Sequence, residues 1–588
     1  MSRPASPPFN QAPFNQTPID PPTGGAGGDP ARRLAADLRA LPYTTDAVGE
    51  LLGAQATAAL DREQAEPARR VVARVMDDDG AGPSQRALAA VVSCWMLGDP
   101  VPVVALDQAL PTLRAEGAAS LNLGWIRAGY LHPVVDLSPY ATDDHGDLWV
   151  ASDQTALQTR STLPSWHVVG IGRASLTLAG NVTRGPVARA LDLGTGCGIQ
   201  TLHLLAHASH VTATDLSERA LAFTAFNLLL NAEALGLAGD PGDRVTLLQG
   251  DLLDPVAGQR FDLVVSNPPF VITPRSEAAP DQPDQPGQPG PLAGINTYRD
   301  GGRPGDSLLA DLVARLPEHL EPGGVAQMLG NWEIRHEDSA GAGAGAGSRV
   351  AGAASPQLPA WDARPRSWVP TGVDAWFIQR DLLDPPGYAE TWLQDSSEQL
   401  DPSGYAESYR RYLADFEARG VAAVGFGYLW LRRPATPRDG RIRTEVLEAE
   451  LQQPLGPAWA DAVARWDLVA GAGHLEDLTH LRGLHVRVPA DVTEERHQRF
   501  GAQDPEVILA RQGGGFRRTA HLDTATAGFL SAADGEFTVG QLTGAVAGLL
   551  ELDGPGEAGL LAAVAELLAD GFLVPAPAPA PDGGPAVT

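Results

Sequence analysis

Residues 264–270 read V-V-S-N-P-P-F. The β-branched run builds a buried strand, and two consecutive prolines cannot continue a hydrogen-bonded ladder. The strand is therefore predicted to end at Asn267, with a rigid loop carrying Phe270 away from it. At that stiff point stands a carboxamide, whose oxygen accepts a hydrogen bond from an –NH₂ group. The Pro268 carbonyl is placed to accept a second N–H, and the prolines hold both acceptors ready. Phe270 has the shape to lie flat on a planar group. Asn267, Pro268, Pro269 and Phe270 thus form a candidate site for a conjugated primary amine, either an amide or the amino group of a base.

Three further stretches point to a ligand beside that loop. Residues 190–198 read A-L-D-L-G-T-G-C-G, an apolar strand running through Asp192 into a glycine turn (Gly194, Thr195, Gly196, Gly198) and then a helix. Glycines there allow close backbone approach to a ligand, or serve only as a structural turn. The pattern is G-x-G-x-G rather than the G-x-G-x-x-G of dinucleotide enzymes. Asp215, in T-A-T-D-L, lies 21 residues past Gly194 at the tip of the next expected strand, with Leu216 after it. An acid at that position grips ribose hydroxyls in such folds; it would equally cap the helix that begins S-E-R-A-L, and the two roles are compatible. Asp251, in Q-G-D-L-L, follows the third strand and is suited to accept from an adenine amino group, with Leu252 against the ring.

The elements that must position these residues are read from periodicity. Seven strand candidates (A-R-A-L-D-L-G, H-V-T-A-T-D-L, R-V-T-L-L-Q-G-D-L, R-F-D-L-V-V-S-N, G-G-V-A-Q-M-L-G-N-W, V-D-A-W-F-I-Q-R-D-L, A-A-V-G-F-G-Y-L-W-L) alternate with helical segments over residues 165–434. That alternation predicts an α/β, doubly wound Rossmann-like sheet, with ligands at the carboxyl ends of its strands. The seventh strand, which follows a helix S-Y-R-R-Y-L-A-D-F-E-A-R-G, is expected to run antiparallel. Residues 31–150 read as helices followed by a hairpin near Y-L-H-P-V-V-D-L-S and D-L-W-V-A-S-D, and 435–576 as a less clear region ending in three helices and a short strand. Both flanks are expected to be mainly helical and winged-helix-like, with a helical cap carrying a β-flap an equal alternative for residues 31–150. Residues 1–30 and 577–588 are expected to be disordered tails, and P-D-Q-P-D-Q-P-G-Q-P-G-P (281–291 and its flank) and G-A-G-A-G-A-G (341–347) flexible inserts.

The chain has 588 residues and a formal net charge of −29, and all its basic side chains other than histidine are arginine. Such a balance gives no global attraction for phosphate backbones, so nucleic-acid binding would need a local arginine patch. Arg511, Arg517 and Arg518 around Q-G-G-G-F offer such a patch, or a solvated turn. Two cysteines far apart form no disulfide framework, which fits a reducing compartment. No apolar run reaches a membrane span of about 20 residues, and the N-terminal stretch lacks the apolar core of a signal peptide. A cytoplasmic protein without a membrane partner is expected. His203, His207 and His210 have helical spacing but read as packing and surface residues, and no metal site is expected.

The series L-D-L-G-T-G-C-G, T-A-T-D, G-D-L and S-N-P-P-F resembles class I S-adenosylmethionine-dependent methyltransferases, and N-P-P-F is similar to the [D/N/S]-P-P-[Y/F/W] of their amino-methylating members. The nearest likeness is to the small-domain group, which includes RNA guanine-N2 and adenine-N6 enzymes and release-factor glutamine enzymes. More narrowly, H-V-V-G-I-G-R-A-S-L-T-L-A (167–179), N-P-P-F-V-I-T-P and Y-R-D-G-G (298–302) are similar to blocks of large actinobacterial methyltransferases with extra N- and C-terminal domains. The resemblance implies a seven-stranded methyltransferase sheet and S-adenosyl-L-methionine as cofactor. It implies a methionine pocket shaped by Asp192, Gly194, Thr195, Gly196 and Gly198, a ribose ligand in Asp215, and adenine contacts from Leu216, Asp251 and Leu252. Asn267 to Phe270 would hold the acceptor, and the segment around Gly170 and Gly172 would close over the cofactor. The expected reaction is N-methylation, foremost of an exocyclic base amine in RNA. The alternatives are N5-methylation of a protein glutamine, or a non-catalytic protein that binds the cofactor for regulation.

Overall fold

The structure, a computed structural model, describes residues 30–161, 163–164, 166–237, 241–274, 301–336, 360–396, 398, 402–471 and 478–578. Apart from Pro30 and residues 577–578, the expected tails and both low-complexity inserts lie outside these residues. The chain divides into two compact units, one running to Ala179 and again from Gly185 to Val446, the other made of Gly180–Arg184 and Leu447 onward.

The first unit opens with helices Pro30–Ala40, Thr45–Leu60, Glu66–Asp77 and Pro83–Val91. Then come β1 (Val101–Pro102), two short helices (Val103–Ala109, Arg114–Ser120), β2 (Gly124–Arg127) and β3 (Tyr130–Pro133). The three strands pair in the order β1-β3-β2, all antiparallel. The order is thus strand, two helices and hairpin. A separate hairpin follows, β4 (Val135–Thr142) with β5 (Gly146–Asp153). The stretch Y-L-H-P-V-V-D-L-S, expected as one strand, is thus split: its first half pairs with β2 and only Val135 onward pairs with β5. Pro133 and the break at Val134 separate the two sheets, because proline cannot donate to a continuing ladder.

The central sheet is built from β6 (Val187–Leu193), β7 (Ala208–Asp215), β8 (Val245–Gln249), β9 (Phe261–Ser266), β10 (Leu320–Arg335), β11 (Asp374–Leu383), β12 (Val421–Arg432) and β13 (Ile442–Val446). Their order is β13-β11-β12-β10-β9-β6-β7-β8. β6 to β10 are mutually parallel where they pair, and β12 runs antiparallel to both β10 and β11. The seven expected strands are all present in a methyltransferase order. An eighth, β13, pairs parallel to β11 and carries the sheet past residue 434 to Val446. Its sequence, I-R-T-E-V, is charged and half-buried, as an edge strand with one covered side can be. The inner strands are continuous apolar runs because helices cover both faces. On one face Leu191, Val264, Ala326 and Leu429 pack against Leu309 and Leu312 of helix Ser307–Arg315.

Register brings the motif-bearing strand ends to one edge. Leu193 lies beside Thr214 and beside Ser266, and Asp215 lies beside Gln249. The glycine turn, Asp215, Asp251 and Asn267 therefore all leave the sheet at its carboxyl side, where open α/β sheets take their ligands.

The second unit contains helix Gly456–Ala470, β14 (His485–Arg487), a meander of β15 (Val492–His497), β16 (Val507–Gln512) and β17 (Thr519–Leu522), and helix Thr524–Ala532. β18 (Asp534–Thr538), helices Val539–Leu549 and Gly554–Asp570, and β19 (Val574–Pro575) complete it. The sheet order β18-β14-β19 takes its middle strand from before the helices. Asp523, Thr538 and Asp553 cap the three helices, each accepting from a backbone N–H in the first turn. Phe529, Leu542, Val564 and Leu568 lie in its core. Residues Gly180–Arg184, the end of helix Arg173–Asn181 and the start of the link to β6, belong to this unit: the Leu455 N–H donates to the Gly180 carbonyl (2.7 Å), and Trp459 Nε1 donates to Asn181 (3.3 Å). Among the described residues no helix is long and apolar enough to cross a membrane.

Candidate functional site

The glycine turn leaves β6 with Gly194, Gly196 and Gly198 at φ of 77°, 58° and 94°, the left-handed region that side-chain-bearing residues avoid. Gly194 and Thr195 N–H both donate to the Thr214 carbonyl at 2.9 Å, pinning the turn to the end of β7. Nothing lies within 4 Å of where a Cβ on Gly194 or Gly196 would sit, so the turn presents bare backbone to open space. At Gly198 the same Cβ would meet Thr224 at 3.1 Å, so the turn's other side is packed.

Asp192 is 1% exposed at the end of β6. Its Oδ2 accepts from the hydroxyls of Thr195 and Thr201, both at 2.7 Å. Its Oδ1 is buried and accepts from no described residue. Burial pushes this carboxyl up to about 6, against the two hydroxyl bonds, which favour the charged form. Asp215 ends β7. Its Oδ2 accepts the Gly196 N–H (2.9 Å) and its Oδ1 the Ser217 N–H (2.8 Å). Burial raises its pKa too, opposed by those N–H bonds. The cap of the following helix, Glu218–Leu230, is made by Ser217, whose side chain accepts from Ala220 N–H. Asp215 is thus free of that duty and braces the glycine turn. Leu216, next in the chain, is 57% exposed. The Gly250 N–H donates to the Asp215 carbonyl (3.0 Å) and brings exposed Asp251 alongside, followed by half-buried Leu252 at φ 45°.

β9 stops at Ser266, whose hydroxyl donates to the Leu193 carbonyl (2.8 Å) and ties the two strand ends together. Asn267 follows, its Oδ1 buried and accepting from no described residue. The Pro268 carbonyl, expected to be free, already accepts the Phe270 N–H at 2.7 Å. That i to i+2 bond closes a γ-type turn across Pro269 and uses one of the carbonyl's two lone pairs, leaving one. Pro268 is buried, and Pro269 and Phe270 are half-buried.

Two buried acceptor oxygens that meet no donor among the described residues, one on each of two neighbouring strand ends, suit a ligand rich in N–H groups. Residues 159–279, which contain both, match the model of the methyltransferase small domain. Over residues 159–279 the chain is similar to methyltransferase small domains. Residues 40–129 match a domain of unknown function, DUF7059. Among curated relatives, a release factor glutamine methyltransferase of Geobacter sulfurreducens is 37% identical over 144 residues, 24% of this chain and 45% of that protein. One of Cereibacter sphaeroides is 38% identical over 146 residues, 24% of this chain and 45% of that protein. A ribosomal protein uL3 glutamine methyltransferase of Xanthomonas campestris is 29% identical, covering 31% of this chain and 53% of that protein. The chain spans about half the length of these relatives. A solved T. thermophilus 16S rRNA N2 G1207 methyltransferase shares 17% identity over 43% of this chain and 62% of that one, at a TM-score of 0.21, a level that carries no argument about activity.

Residues beyond the matched small domain hold its loops. Tyr388, on helix Pro385–Asp395, is fully buried, and its hydroxyl accepts the Ile272 N–H (2.8 Å) and Asn331 Nδ2 (3.0 Å). It thereby fastens the chain two residues past Phe270. Tyr388→Phe leaves a buried N–H without an acceptor and is expected to cost about 1–3 kcal/mol in urea unfolding. An unchanged midpoint would mean the exit of the acceptor loop is held by something else. On the other flank, Asp153 at the end of β5 accepts from Val168 N–H (2.9 Å) and from Arg219 Nε (3.0 Å). The Arg219 guanidinium lies 5.0 Å from the Trp166 ring centroid and 5.2 Å from that of Phe223. The segment expected to close over a cofactor is therefore anchored to β5, with Gly170 so near Ser152 that a Cβ would lie 2.5 Å from its hydroxyl.

Of the three histidines, His203 is buried and bonds to Asp144 (2.7 Å) and Tyr140 (2.6 Å), while His207 and His210 are half-buried. Burial pushes the Cys197 thiol up to about 12, so it is no nucleophile near neutral pH. Of Y-R-D-G-G, residues 298–300 lie outside the described residues. In the second unit Arg511 pairs with Glu495 (2.9 Å) and Arg518 donates to the Asp570 carbonyl (3.1 Å).

Asp192 carries a pH signature. Its folded pKa, about 6, exceeds the ordinary 3.8, so its ionised form is the costly one. The stability it contributes is fully present below the lower value and is lost as pH rises through the upper one. A shift of that size is on the order of 3 kcal/mol. Asp192→Asn is expected to flatten the melting temperature against pH across that window; a curve parallel to the wild type's would show that the carboxyl does not titrate there.

Proposed function

We propose that the protein is an S-adenosylmethionine-dependent N-methyltransferase whose acceptor is the carboxamide nitrogen of a glutamine side chain in a protein. The observation that carries this reading is Asn267 Oδ1, buried and without a described donor in a proline-locked turn one strand away from the glycine turn. The residues fit the cofactor: Asp192 Oδ1 is a buried acceptor suited to its ammonium group, the bare turn at Gly194–Gly198 to its methionine moiety, and Asp215 to its ribose. Leu216, Asp251 and Leu252 are the chain's groups for the adenine.

Bound S-adenosylmethionine supplies an electrophilic methyl group on a sulfonium. The chain's part is orientation. Asn267 Oδ1 accepts one N–H of the incoming carboxamide, and the remaining lone pair of Pro268 O accepts the other. Both would stabilise positive charge growing on nitrogen as it leaves planarity, takes the methyl group as the C–S bond breaks to leave S-adenosylhomocysteine, and then loses one N–H proton to solvent, and both are held in place before the substrate arrives. Phe270 covers the plane of the amide.

The named activities of the relatives support a protein acceptor over an RNA base. Net charge of −29 favours it as well. So does the engagement of Arg511 and Arg518, which leaves the arginine patch largely spent within its own unit. The test supplies purified protein with methyl-labelled cofactor and lysate from cells lacking the gene, then divides the product between protease and ribonuclease. Label released by protease alone, and missing with Asn267→Ala, is the expected result. Label released by ribonuclease alone would replace the glutamine with a base amine.

A further inference from the structure

Helix Glu218–Leu230 and its C-cap carry two asparagines one turn apart, Asn227 and Asn231, buried at 0% and 1% exposure. Both carboxamides pair with the backbone of β5 as a neighbouring strand would. Asn231 Oδ1 accepts Trp149 N–H (2.9 Å) and its Nδ2 donates to Trp149 O (2.7 Å). Asn227 Oδ1 accepts Ala151 N–H (2.8 Å) and its Nδ2 donates to Ala151 O (3.0 Å). This hairpin edge is thereby closed by side chains. Asn227 makes one bond that Asn231 does not: its Nδ2 also donates to the Cys197 carbonyl in the glycine turn (2.8 Å). One turn earlier on the same helix, the Thr224 hydroxyl donates to the Gly196 carbonyl (2.9 Å). Two successive carbonyls of the turn are thus drawn onto the helix, away from the open side that Gly194 and Gly196 present.

We infer that Asn227 is a positioning residue that ties the β4–β5 hairpin to the glycine turn, making the hairpin a structural part of the cofactor site. Its carboxamide has two donors and one oxygen here, all used, so loosening β5 loosens the turn. The hairpin, at residues 135–153, lies outside the small-domain match at 159–279, so the small domain alone lacks this brace. Only the ligand arm of the test rests on the function proposed above.

The experiment compares wild type, Asn227→Ala and Asn231→Ala by amide hydrogen exchange and by titration with S-adenosylhomocysteine. Asn227→Ala is expected to speed exchange of the 194–200 segment about tenfold and to weaken S-adenosylhomocysteine about tenfold, the scale of one buried hydrogen bond lost. Asn231→Ala is expected to speed exchange in β5 and leave the turn and the affinity nearly unchanged. Equal effects of the two substitutions on the turn, or an unmoved turn in Asn227→Ala, would overturn the inference. If wild type binds no S-adenosylhomocysteine while Asn227→Ala still frees the turn, the positioning role stands and the cofactor reading fails. Should Asn227→Ala not fold, the coupling between Thr224 and Asn227 is read instead from Thr224→Val: exchange at Ala151 rises about threefold if the turn and hairpin are linked through the helix, and stays at the wild-type rate if they are not.

Discussion

Asn267→Ala is expected to lower methyl transfer by about 10²–10³-fold, the loss seen when one pre-organised hydrogen-bonding group of a reaction centre is removed. Binding of S-adenosylhomocysteine should survive, because the glycine turn, Asp192 and Asp215 make their bonds without Asn267. The substitution removes an acceptor that meets no described donor, so folding stability should change little or rise slightly. Asn267→Asp keeps an oxygen in the same place and should retain more activity than alanine. Single-turnover measurement with labelled cofactor separates these outcomes. A parallel loss of cofactor affinity and transfer in Asn267→Ala would move the residue from the acceptor side to the cofactor side.

Asp215→Ala is expected to weaken S-adenosylhomocysteine by about 100-fold or more. Two bonds from ribose hydroxyls to a charged acceptor are on the order of 1.5–3 kcal/mol each. The same carboxylate holds the Gly196 and Ser217 N–H groups, so alanine also frees the glycine turn. Asp215→Asn preserves the shape and one acceptor oxygen, and a smaller loss, about tenfold, is expected from it. Titration calorimetry checks both, with adenosine as a second ligand: a ribose contact predicts that adenosine suffers with the full cofactor product. If Asp215→Ala leaves affinity intact, the carboxylate serves only the turn.

The two variants fail differently by design of the site. Asp215 is a bonded hub, whereas the Asn267 side-chain oxygen meets no described donor. That contrast was not visible in T-A-T-D-L and S-N-P-P-F, which look like equally placed strand ends. The cap that Asp215 was free to supply is supplied by Ser217, a choice between two adjacent side chains that only the path of the helix start decides. By sequence the Pro268 carbonyl is an open acceptor, but the bond it accepts from the Phe270 N–H depends on how the loop closes over Pro269.

Local covalent chemistry determined much of this protein by itself. Glycines that permit positive φ, prolines that end a ladder and β-branched runs act within a few neighbouring residues, so the turn at 194–198, the end of β9 and the seven strands were readable in order. The eighth strand was not, because a half-buried edge strand need show no apolar alternation. Tertiary structure alone decided the partners that brace the site: Asn227 meets Ala151 across 76 residues, and Tyr388 meets Ile272 across 116. Two asparagines in F-N-L-L-L-N-A were a hint, since a buried carboxamide in a leucine-rich helix must find partners. Which backbone satisfies it depends on how distant elements pack, and no local pattern encodes that.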